Sequence, residues 1–196
     1  MRIVAGEYRG RTLRAPKGQA TRPTTDRVRE AVMSTLASAR PGLEGAAVLD
    51  AFAGSGALGL EALSRGARWA GFYEKDAEAL RVLQGNIAAL GLARERYAVQ
   101  RADVLKSPPR SAPAAIDIVF LDPPYALAAA DVIGLLAALD TAGLLAAGAI
   151  AVYEHARQSD ADVAAAFDAH GWRPLSHKRY GDTTVDLFDR PGQPEA

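Results

Sequence analysis

Asp122-Pro123-Pro124-Tyr125 follows a strongly apolar run and is the most specific chemical signal in the chain. The two prolines restrict the backbone, the Asp122 carboxylate and the Pro123 carbonyl are hydrogen-bond acceptors, and the Tyr125 ring offers a stacking face. Two acceptors beside an aromatic ring match a flat base that carries an exocyclic amine. Accepting both N–H bonds favours a pyramidal nitrogen whose lone pair can attack an electrophilic methyl group, and Asp122 can take the released proton. We therefore predict that these four residues are catalytic; the alternative is a strand-end turn without chemistry.

A glycine-rich turn is the second candidate site. Gly54, Gly56 and Gly59 form the pattern G-x-G-x-x-G between a predicted strand and a predicted helix, which brings the backbone and a helix N-terminus close to a ligand. Glu74 follows the next predicted strand, 20 residues beyond Gly54, where an acid can hold ribose hydroxyl groups. The combination predicts a nucleotide-type cofactor site; the alternative is that the glycines only permit a tight turn.

The acid before the glycine turn bears on which cofactor binds. Asp50 would repel the pyrophosphate of a dinucleotide and attract a cationic aminoacyl group. S-adenosylmethionine has a ribose, an ammonium and a sulfonium but no phosphate, so it fits better, with S-adenosylhomocysteine as the product. Asp103 is either an acceptor for the adenine amino group or a capping or turn residue. The predicted cofactor-binding residues are Asp50, Phe52, Ala53, Gly54, Ser55, Gly56, Gly59, Glu74, Lys75, Asp103 and Val104.

An alternating series of strands and helices must position these residues. Apolar runs predict strands at Ala46–Asp50, Trp69–Glu74, Tyr97–Gln100, Ile116–Leu121 and Ala149–Tyr153. Helical spacing predicts helices between them, including Ala128–Leu139, and after them at Asp160–His170. Near-continuous apolar strands between helices indicate an α/β fold with a mainly parallel sheet covered on both faces. Two further β-prone segments around Gly181-Asp182 predict an antiparallel hairpin.

Composition limits the other classes of protein. The chain has 196 residues, no cysteine, 49% hydrophobic residues, and 23 basic and 23 acidic side chains. This predicts a single domain and excludes a disulfide scaffold, a thiolate metal site and a cysteine nucleophile. No pair of histidines has metal-ligand spacing, the apolar run after Met1 is too short for a signal peptide, and no apolar run is long enough for a membrane span. We expect a cytoplasmic protein that needs neither metal nor membrane.

The charge is unevenly placed along the chain. Residues 1–29 carry a net charge of +6, which leaves −6 on the remainder. Such a split predicts a basic arm that attracts phosphate without reading sequence; the alternative is a solvated surface. Arginine outnumbers lysine 19 to 4, which suits phosphate recognition but is equally explained by the nucleotide composition of the source genome. Short β-prone pieces around Gly6 and Gly10 predict a small hairpin within the arm.

Together these segments resemble the class I S-adenosylmethionine-dependent methyltransferases and, among them, the bacterial small-subunit ribosomal RNA guanine-N2 methyltransferases. Besides the tetrapeptide, the resemblance is carried by Arg2–Gly6, Arg9–Arg11, Arg22–Glu30 and Asp50–Arg65, and it extends to about residue 189. It implies a Rossmann-like, seven-stranded, mainly parallel sheet with an antiparallel last strand and an N-terminal β-hairpin. We accordingly divide the chain into an arm (1–22), a methyltransferase domain (23–190) and a disordered tail (191–196).

The resemblance also implies a substrate. The expected reaction methylates N2 of a specific guanine in small-subunit (16S) ribosomal RNA, within the small ribosomal subunit or an assembly intermediate, and the enzyme is expected to be a monomer. The base must be unpaired or flipped out to reach Tyr125. The segment Arg22–Arg29 lines the cofactor pocket, grips RNA, or does both, and Glu154-His155 supports either the substrate or only the fold. The predicted nucleic-acid-binding residues are Arg9, Arg11, Arg22, Arg27 and Arg29.

Two other functions fit the same residues. One is a DNA adenine-N6 or cytosine-N4 methyltransferase, because the tetrapeptide suits any exocyclic amine. The other is a non-catalytic RNA-binding assembly factor that keeps a vestigial cofactor fold. The intact Asp122 and its two prolines argue against such decay.

Overall fold

The computed structural model describes residues 1–16, 26–40 and 42–191. The helices of this part of the chain are α1 (Asp26–Ala39), α2 (Ala57–Ser64), α3 (Ala77–Leu90), α4 (Ala129–Thr141) and α5 (Asp160–Ala169). Its strands are β1 (Ala47–Asp50), β2 (Trp69–Tyr73), β3 (Tyr97–Gln100), β4 (Ile116–Leu121), β5 (Leu145–Ala156), β6 (Arg173–Tyr180) and β7 (Thr183–Asp189). The elements alternate along the chain as the apolar periodicity predicts.

The strands form one seven-stranded sheet in the order β3-β2-β1-β4-β5-β7-β6. Neighbouring strands from β3 to β5 are parallel, whereas β7 is antiparallel to both β5 and β6. The predicted mainly parallel sheet with an antiparallel last strand is confirmed. The chain runs from β1 outward to β2 and β3, then returns to add β4 on the other side of β1. Ligands of open α/β sheets bind where the strand order reverses in this way, at the carboxyl ends of the strands.

Alternation along the strands creates two cores. Val48 of β1 and Phe120 of β4 lie in a cluster with α1, α2 and α3, whereas Leu49 and Val119 lie in a cluster with α4 and α5. Because both faces of the central strands are buried, these strands are apolar at nearly every position, as is usual for parallel strands covered by helices; the exceptions are Asp117 in β4 and Asp50 at the carboxyl end of β1. The helices therefore hold the carboxyl edge of the sheet in a fixed arrangement.

The predicted N-terminal hairpin is present and is built into the domain. Ile3 and Arg11 pair through an N–H···O bond of 3.0 Å, and Leu13 donates to the Met1 carbonyl at 3.0 Å. The side chains of Ile3 and Leu13 are buried in the same cluster as α1 and α2. Two core side chains thus anchor the hairpin to the domain, while its other residues are half-buried or exposed. The predicted arm boundary at residue 22 and tail residues 192–196 lie outside the described residues.

Two elements differ most from the sequence expectation, whereas the other predicted boundaries agree to within one or two residues. The predicted glycine turn over Gly54–Gly59 is shorter, because α2 already begins at Ala57, directly after the left-handed Gly56. Strand β5 covers Leu145–Ala156 rather than Ala149–Tyr153, because it pairs with β4 on one side and β7 on the other. No helix among the described residues is long and apolar enough to cross a membrane.

Candidate active site

A cleft of about 1250 Å³ opens at the carboxyl ends of the parallel strands. Single small-molecule sites occupy roughly 300–1000 Å³, so the cleft has room for a cofactor and a base together. All four predicted catalytic residues line it, and so does every predicted cofactor residue except Gly56 and Gly59. The sheet topology has therefore brought together segments that follow β1, β2, β3 and β4.

The glycines of the turn have different structural roles. A Cβ on Gly56 would lie 2.3 Å from Leu83 Cδ1, and one on Gly59 would lie 2.4 Å from Phe72 Cε1. These two glycines allow α2 to pack closely against α3 and β2. Gly54 has φ +52° and no heavy atom within 4 Å of an added Cβ, and it borders the cleft. A structural need for glycine thus explains Gly56 and Gly59, whereas the backbone of Gly54 is open to the cleft.

Asp50 and Glu74 hold the turn from opposite sides. Asp50 Oδ2 accepts from the Gly59 N–H at 2.9 Å, and Glu74 Oε2 accepts from the Gly54 N–H at 2.8 Å. Burial raises the pKa of Asp50 to about 7; the Gly59 hydrogen bond opposes this shift, whereas the nearby carboxylates Asp122 and Glu74 add to it. Three carboxyl groups therefore lie close together at the floor of the cleft. A cationic ligand would offset their negative charge.

Asp103, the predicted adenine contact, lines the cleft and also has a structural role. Its Oδ1 accepts from the Leu105 N–H at 3.2 Å, which is the turn geometry of the alternative interpretation. Its Oδ2 lies 3.7 Å from Lys75 Nζ across the mouth of the cleft. Because a carboxylate has about four acceptor sites, the turn leaves capacity for a ligand amino group.

The tetrapeptide crosses from β4 to β7. Asp122 and Pro123 continue β4 directly, and the Tyr125 hydroxyl lies 2.9 Å from Thr183 Oγ1 at the start of β7. Tyr125 is 46% exposed as a residue, which is unusual for a large aromatic residue, and it lines the cleft. The arrangement combines a carboxylate, a proline carbonyl and an aromatic ring at one edge.

Two of the predicted nucleic-acid-binding arginines, Arg9 and Arg11, do not line the cleft. Arg9 and Arg11 are exposed, and Arg11 Nη2 donates to the Ala89 carbonyl in the last turn of α3. That point is about 20 Å along the helix from Asp76, the N-cap residue that lines the cleft. Arg22 and the side chain of Arg27 lie outside the described residues.

Our prediction that Arg29 binds nucleic acid is wrong. Its side chain is fully buried, its Nη2 donates to the Arg2 carbonyl, and its Nε lies 3.5 Å from Glu61 Oε2. A guanidinium enclosed in this way is unavailable to an RNA phosphate. Arg29 instead connects α1 to the N-terminal hairpin, and it forms part of the cleft wall beside Met1.

Two residues that were not predicted from the sequence hold backbone segments next to the cleft through hydrogen bonds. Asn86 of α3 donates to the carbonyls of Ser55 at 2.9 Å and Arg14 at 3.0 Å, and accepts from the Arg14 N–H at 2.8 Å. Glu61 of α2 accepts from the backbone N–H groups of Val4 and Ala5. Each is a polar residue on the apolar face of its helix, and this irregularity is the sequence signal that would have found them.

The donors and acceptors of the cleft fit S-adenosylmethionine. Glu74 and Asp103 offer carboxylate oxygens of the kind that ribose hydroxyls and an adenine amine require, and the buried Asp50 adds the negative charge that a cationic methionine moiety requires. A pyrophosphate would add negative charge to a floor where carboxylates already raise the pKa of Asp50. No group of three or more His, Cys, Asp or Glu side chains within the described residues could hold a metal ion.

Comparison with known proteins agrees with this geometry. The family model described as conserved hypothetical protein 95 matches residues 1–189. A Bacillus subtilis protein named putative rRNA methyltransferase YlbH is 36% identical over 195 residues, which are 98% of this chain and the full length of the relative. The Escherichia coli ribosomal RNA small subunit methyltransferase D is 43% identical over 128 residues, which are 64% of this chain and 60% of that protein.

A solved structure from Escherichia coli gives the same result for the fold. The protein described as putative methyltransferase yhhF superimposes with a TM-score of 0.78 and 33% sequence identity, covering 98% of this chain and 99% of that chain. The fold is thus that of the Rossmann-like class I methyltransferases. The chain belongs to the conserved hypothetical protein 95 family and is an S-adenosylmethionine-dependent methyltransferase.

Proposed function

We propose that the enzyme methylates the N2 amine of one guanine in small-subunit ribosomal RNA. The observation that carries the proposal is the position of Asp122, Pro123 and Tyr125, which border one cleft with the cofactor residues Asp50, Gly54 and Glu74. Full-length similarity to a protein named as an rRNA methyltransferase, and partial similarity to one named for the small ribosomal subunit, support RNA over DNA.

The tetrapeptide prepares the amine for reaction. The Asp122 carboxylate and the Pro123 carbonyl accept the two N–H bonds, and the Tyr125 ring stacks on the base. When bound, the cofactor supplies an electrophilic methyl group, so that a nitrogen–carbon bond forms as a sulfur–carbon bond breaks. The nitrogen then loses one proton, which Asp122 accepts and passes to water. Alignment of amine and methyl group in one cleft supplies much of the remaining acceleration.

The target base must leave its helix to reach the tetrapeptide. Tyr125 is accessible at the cleft, whereas a paired guanine keeps its N2 amine in the groove of the duplex. One small domain offers little surface for reading sequence, so we infer that RNA shape or neighbouring ribosomal proteins select the nucleotide. We further infer that the enzyme acts as a cytoplasmic monomer on the small subunit or its assembly intermediate.

Asp122→Ala tests the catalytic assignment. We expect methyl incorporation to fall by about 10²–10⁴-fold, because the variant lacks the acceptor and base, while S-adenosylmethionine affinity stays within a few-fold. Asp168→Ala on the exposed surface of α5 is the matched control and should keep full activity. Turnover by Asp122→Ala at the control rate would refute the assigned role.

The identity of the product tests the substrate. Free small-subunit RNA, assembled small subunits and DNA are each incubated with labelled cofactor, and the digested nucleosides are separated by mass spectrometry. We expect N2-methylguanosine from small-subunit RNA, both free and assembled, and no methylated product from DNA. The assembled particle should be the better substrate. Methylated adenine or cytosine from DNA would establish the DNA-directed alternative. Binding of RNA without any methylated product would establish the non-catalytic one.

A further inference from the structure

Glu154 lines the cleft, and the reaction described above gives it no role. It lies near the end of β5, and the residue is only 9% exposed. Removing a carboxylate from water is costly, so a nearly buried acid at a ligand cleft calls for partners. Glu154 already has an interaction partner within the protein. Because a carboxylate can accept hydrogen bonds from more than one donor, it can also accept one from a ligand.

The sheet places Glu154 directly beside the catalytic acid. Leu121 of β4 pairs with Tyr153 of β5, so the next residues, Asp122 and Glu154, lie side by side at the carboxyl edge. The following residue, His155, points to the opposite face of the sheet, where its Nε2 lies 3.0 Å from Asp186 Oδ2. Since successive side chains of a strand alternate between faces, Glu154 points to the cleft side.

The tetrapeptide passes over the end of β5. It begins at Asp122 on β4 and is tied to β7 by the contact between Tyr125 and Thr183. Thr183 in turn pairs with Ala156, two residues beyond Glu154 on β5. A base held by Asp122 and stacked on Tyr125 therefore has one edge over the strand that carries Glu154.

The edge of the base next to the amine differs between nucleobases. In guanine one of the two ring nitrogens that flank the N2 amine, N1, carries a proton and is a donor, whereas the other, N3, carries a lone pair. The ring nitrogens beside the amines of adenine and cytosine carry a lone pair instead. A carboxylate accepts from the first and repels the others, and a buried site built for one donor rejects a base without it.

We propose that Glu154 is the specificity-determining residue for guanine, with its carboxylate accepting a hydrogen bond from N1–H while Asp122 and Pro123 hold the neighbouring N2 amine. The proposal rests on the proposed N2-guanine activity and explains why a tetrapeptide that suits any exocyclic amine would act on one base. It gives Glu154 the substrate role that the sequence left open between substrate and fold.

A substrate analogue tests this hydrogen bond. A synthetic oligonucleotide ligated into the RNA replaces the mapped target guanine with 2-aminopurine, which keeps the N2 amine but has neither the N1 proton nor the O6 carbonyl. The missing O6 is common to wild type and variants, so only a change in the ratio between them reports on Glu154. Wild type should prefer guanine strongly. In Glu154→Gln the side-chain amide can donate to the unprotonated N1, so the ratio of kcat/KM for guanine over 2-aminopurine should fall by about 10- to 100-fold.

Controls separate this role from a structural one. Glu95 is exposed, precedes β3 and does not line the cleft. Glu95→Gln should therefore leave the ratio of kcat/KM for guanine over 2-aminopurine at the wild-type value. Glu154→Asp withdraws the charge by one methylene, and we expect it to lose turnover of guanine without gaining turnover of 2-aminopurine. It also serves if Glu154→Gln does not fold.

The outcomes for the two proposals are distinct. The role of Glu154 is overturned if Glu154→Gln keeps the wild-type ratio of kcat/KM for guanine over 2-aminopurine. It is also overturned if Glu154→Asp methylates guanine at the wild-type rate. Absence of N2-methylguanosine with the wild-type enzyme and natural RNA overturns the proposed function itself.

Discussion

At the scale of single residues, Asp50 shows how the protein prepares a site for a cation. Its carboxylate is buried at the end of β1, where the Gly59 N–H is its hydrogen-bond donor and Asp122 and Glu74 contribute further negative charge. Burial is the largest cause of its pKa near 7, far above the ordinary value of 3.8. The ligand-free enzyme therefore carries an unfavourable charge above neutral pH, which a sulfonium or ammonium group would compensate.

Asp50→Asn should change how stability depends on pH. Between about pH 4 and pH 7 the folded wild type holds a proton on Asp50 that the unfolded chain has already lost, so this residue lowers the free energy of unfolding as pH rises. A shift of this size corresponds to on the order of 4 kcal/mol. The free energy of unfolding, measured in urea at pH 5 and at pH 8, should fall more between these two pH values in wild type than in the variant. An equal fall in both proteins would contradict the raised pKa.

At the scale of elements, the turn between β1 and α2 is defined by how closely the helix approaches the sheet. Gly59 lies in the first turn of α2, and an added Cβ would approach Phe72 Cε1 to 2.4 Å and Asp50 Oδ2 to 3.2 Å. Phe72 of β2 is fully buried, and because protein interiors are close-packed its ring cannot shift without disturbing its neighbours. The glycine pattern thus sets the distance between helix and strand, and that distance places the open backbone of Gly54 at the cleft.

Gly59→Ala should destabilise the protein, whereas Gly85→Ala should not. We expect a loss of about 1–3 kcal/mol at Gly59, because the methyl group overpacks the helix–strand contact. Gly85 lies within α3, and an added Cβ there meets nothing within 4 Å, so alanine should stabilise the helix by up to about 1 kcal/mol. Equilibrium unfolding in urea measures both. Equal effects of the two changes would show that close packing does not explain Gly59.

At the scale of the whole molecule, a buried ionic network joins the N-terminal hairpin to the catalytic domain. Glu61 is fully buried and accepts from the Val4 N–H at 2.8 Å and the Ala5 N–H at 3.1 Å. The same carboxylate forms ion pairs with Arg65 at 2.8 Å and Arg29 at 3.5 Å. Arg29 and Met1 border the cleft, so the network connects the far end of the hairpin to the wall of the active site.

Glu61→Gln should loosen this connection. The neutral amide has one acceptor oxygen and leaves the buried Arg29 without its counter-charge, for which we expect a loss of about 3–5 kcal/mol. Hydrogen exchange should accelerate at the amides of Val4 and Ala5, whose acceptor is Glu61. Glu78→Gln, exposed in the first turn of α3, is the control. Unchanged exchange at both amides would mean that Glu61 does not hold the hairpin.

The sequence by itself determined the features that are encoded locally. Apolar runs of strand length between helical segments specified an α/β sheet, and the tetrapeptide after Phe120-Leu121 was recognisable from six consecutive residues. Because the carboxyl ends of parallel strands share one edge, residues that directly follow β1, β2, β3 and β4 had to meet there. This is why the predicted catalytic residues and nearly all of the predicted cofactor residues border one cleft.

Only the tertiary structure decided which distant side chains become neighbours. Arg29 is one of several arginines in a basic segment, and its burial against Glu61 depends on how α1 packs on α2. The contact between Tyr125 and Thr183 and the placement of Glu154 beside Asp122 depend on strand order and register, which periodicity does not encode. A pattern of spacings specifies the face and the end of an element. Which other element arrives there is set by the free energy of packing the whole chain.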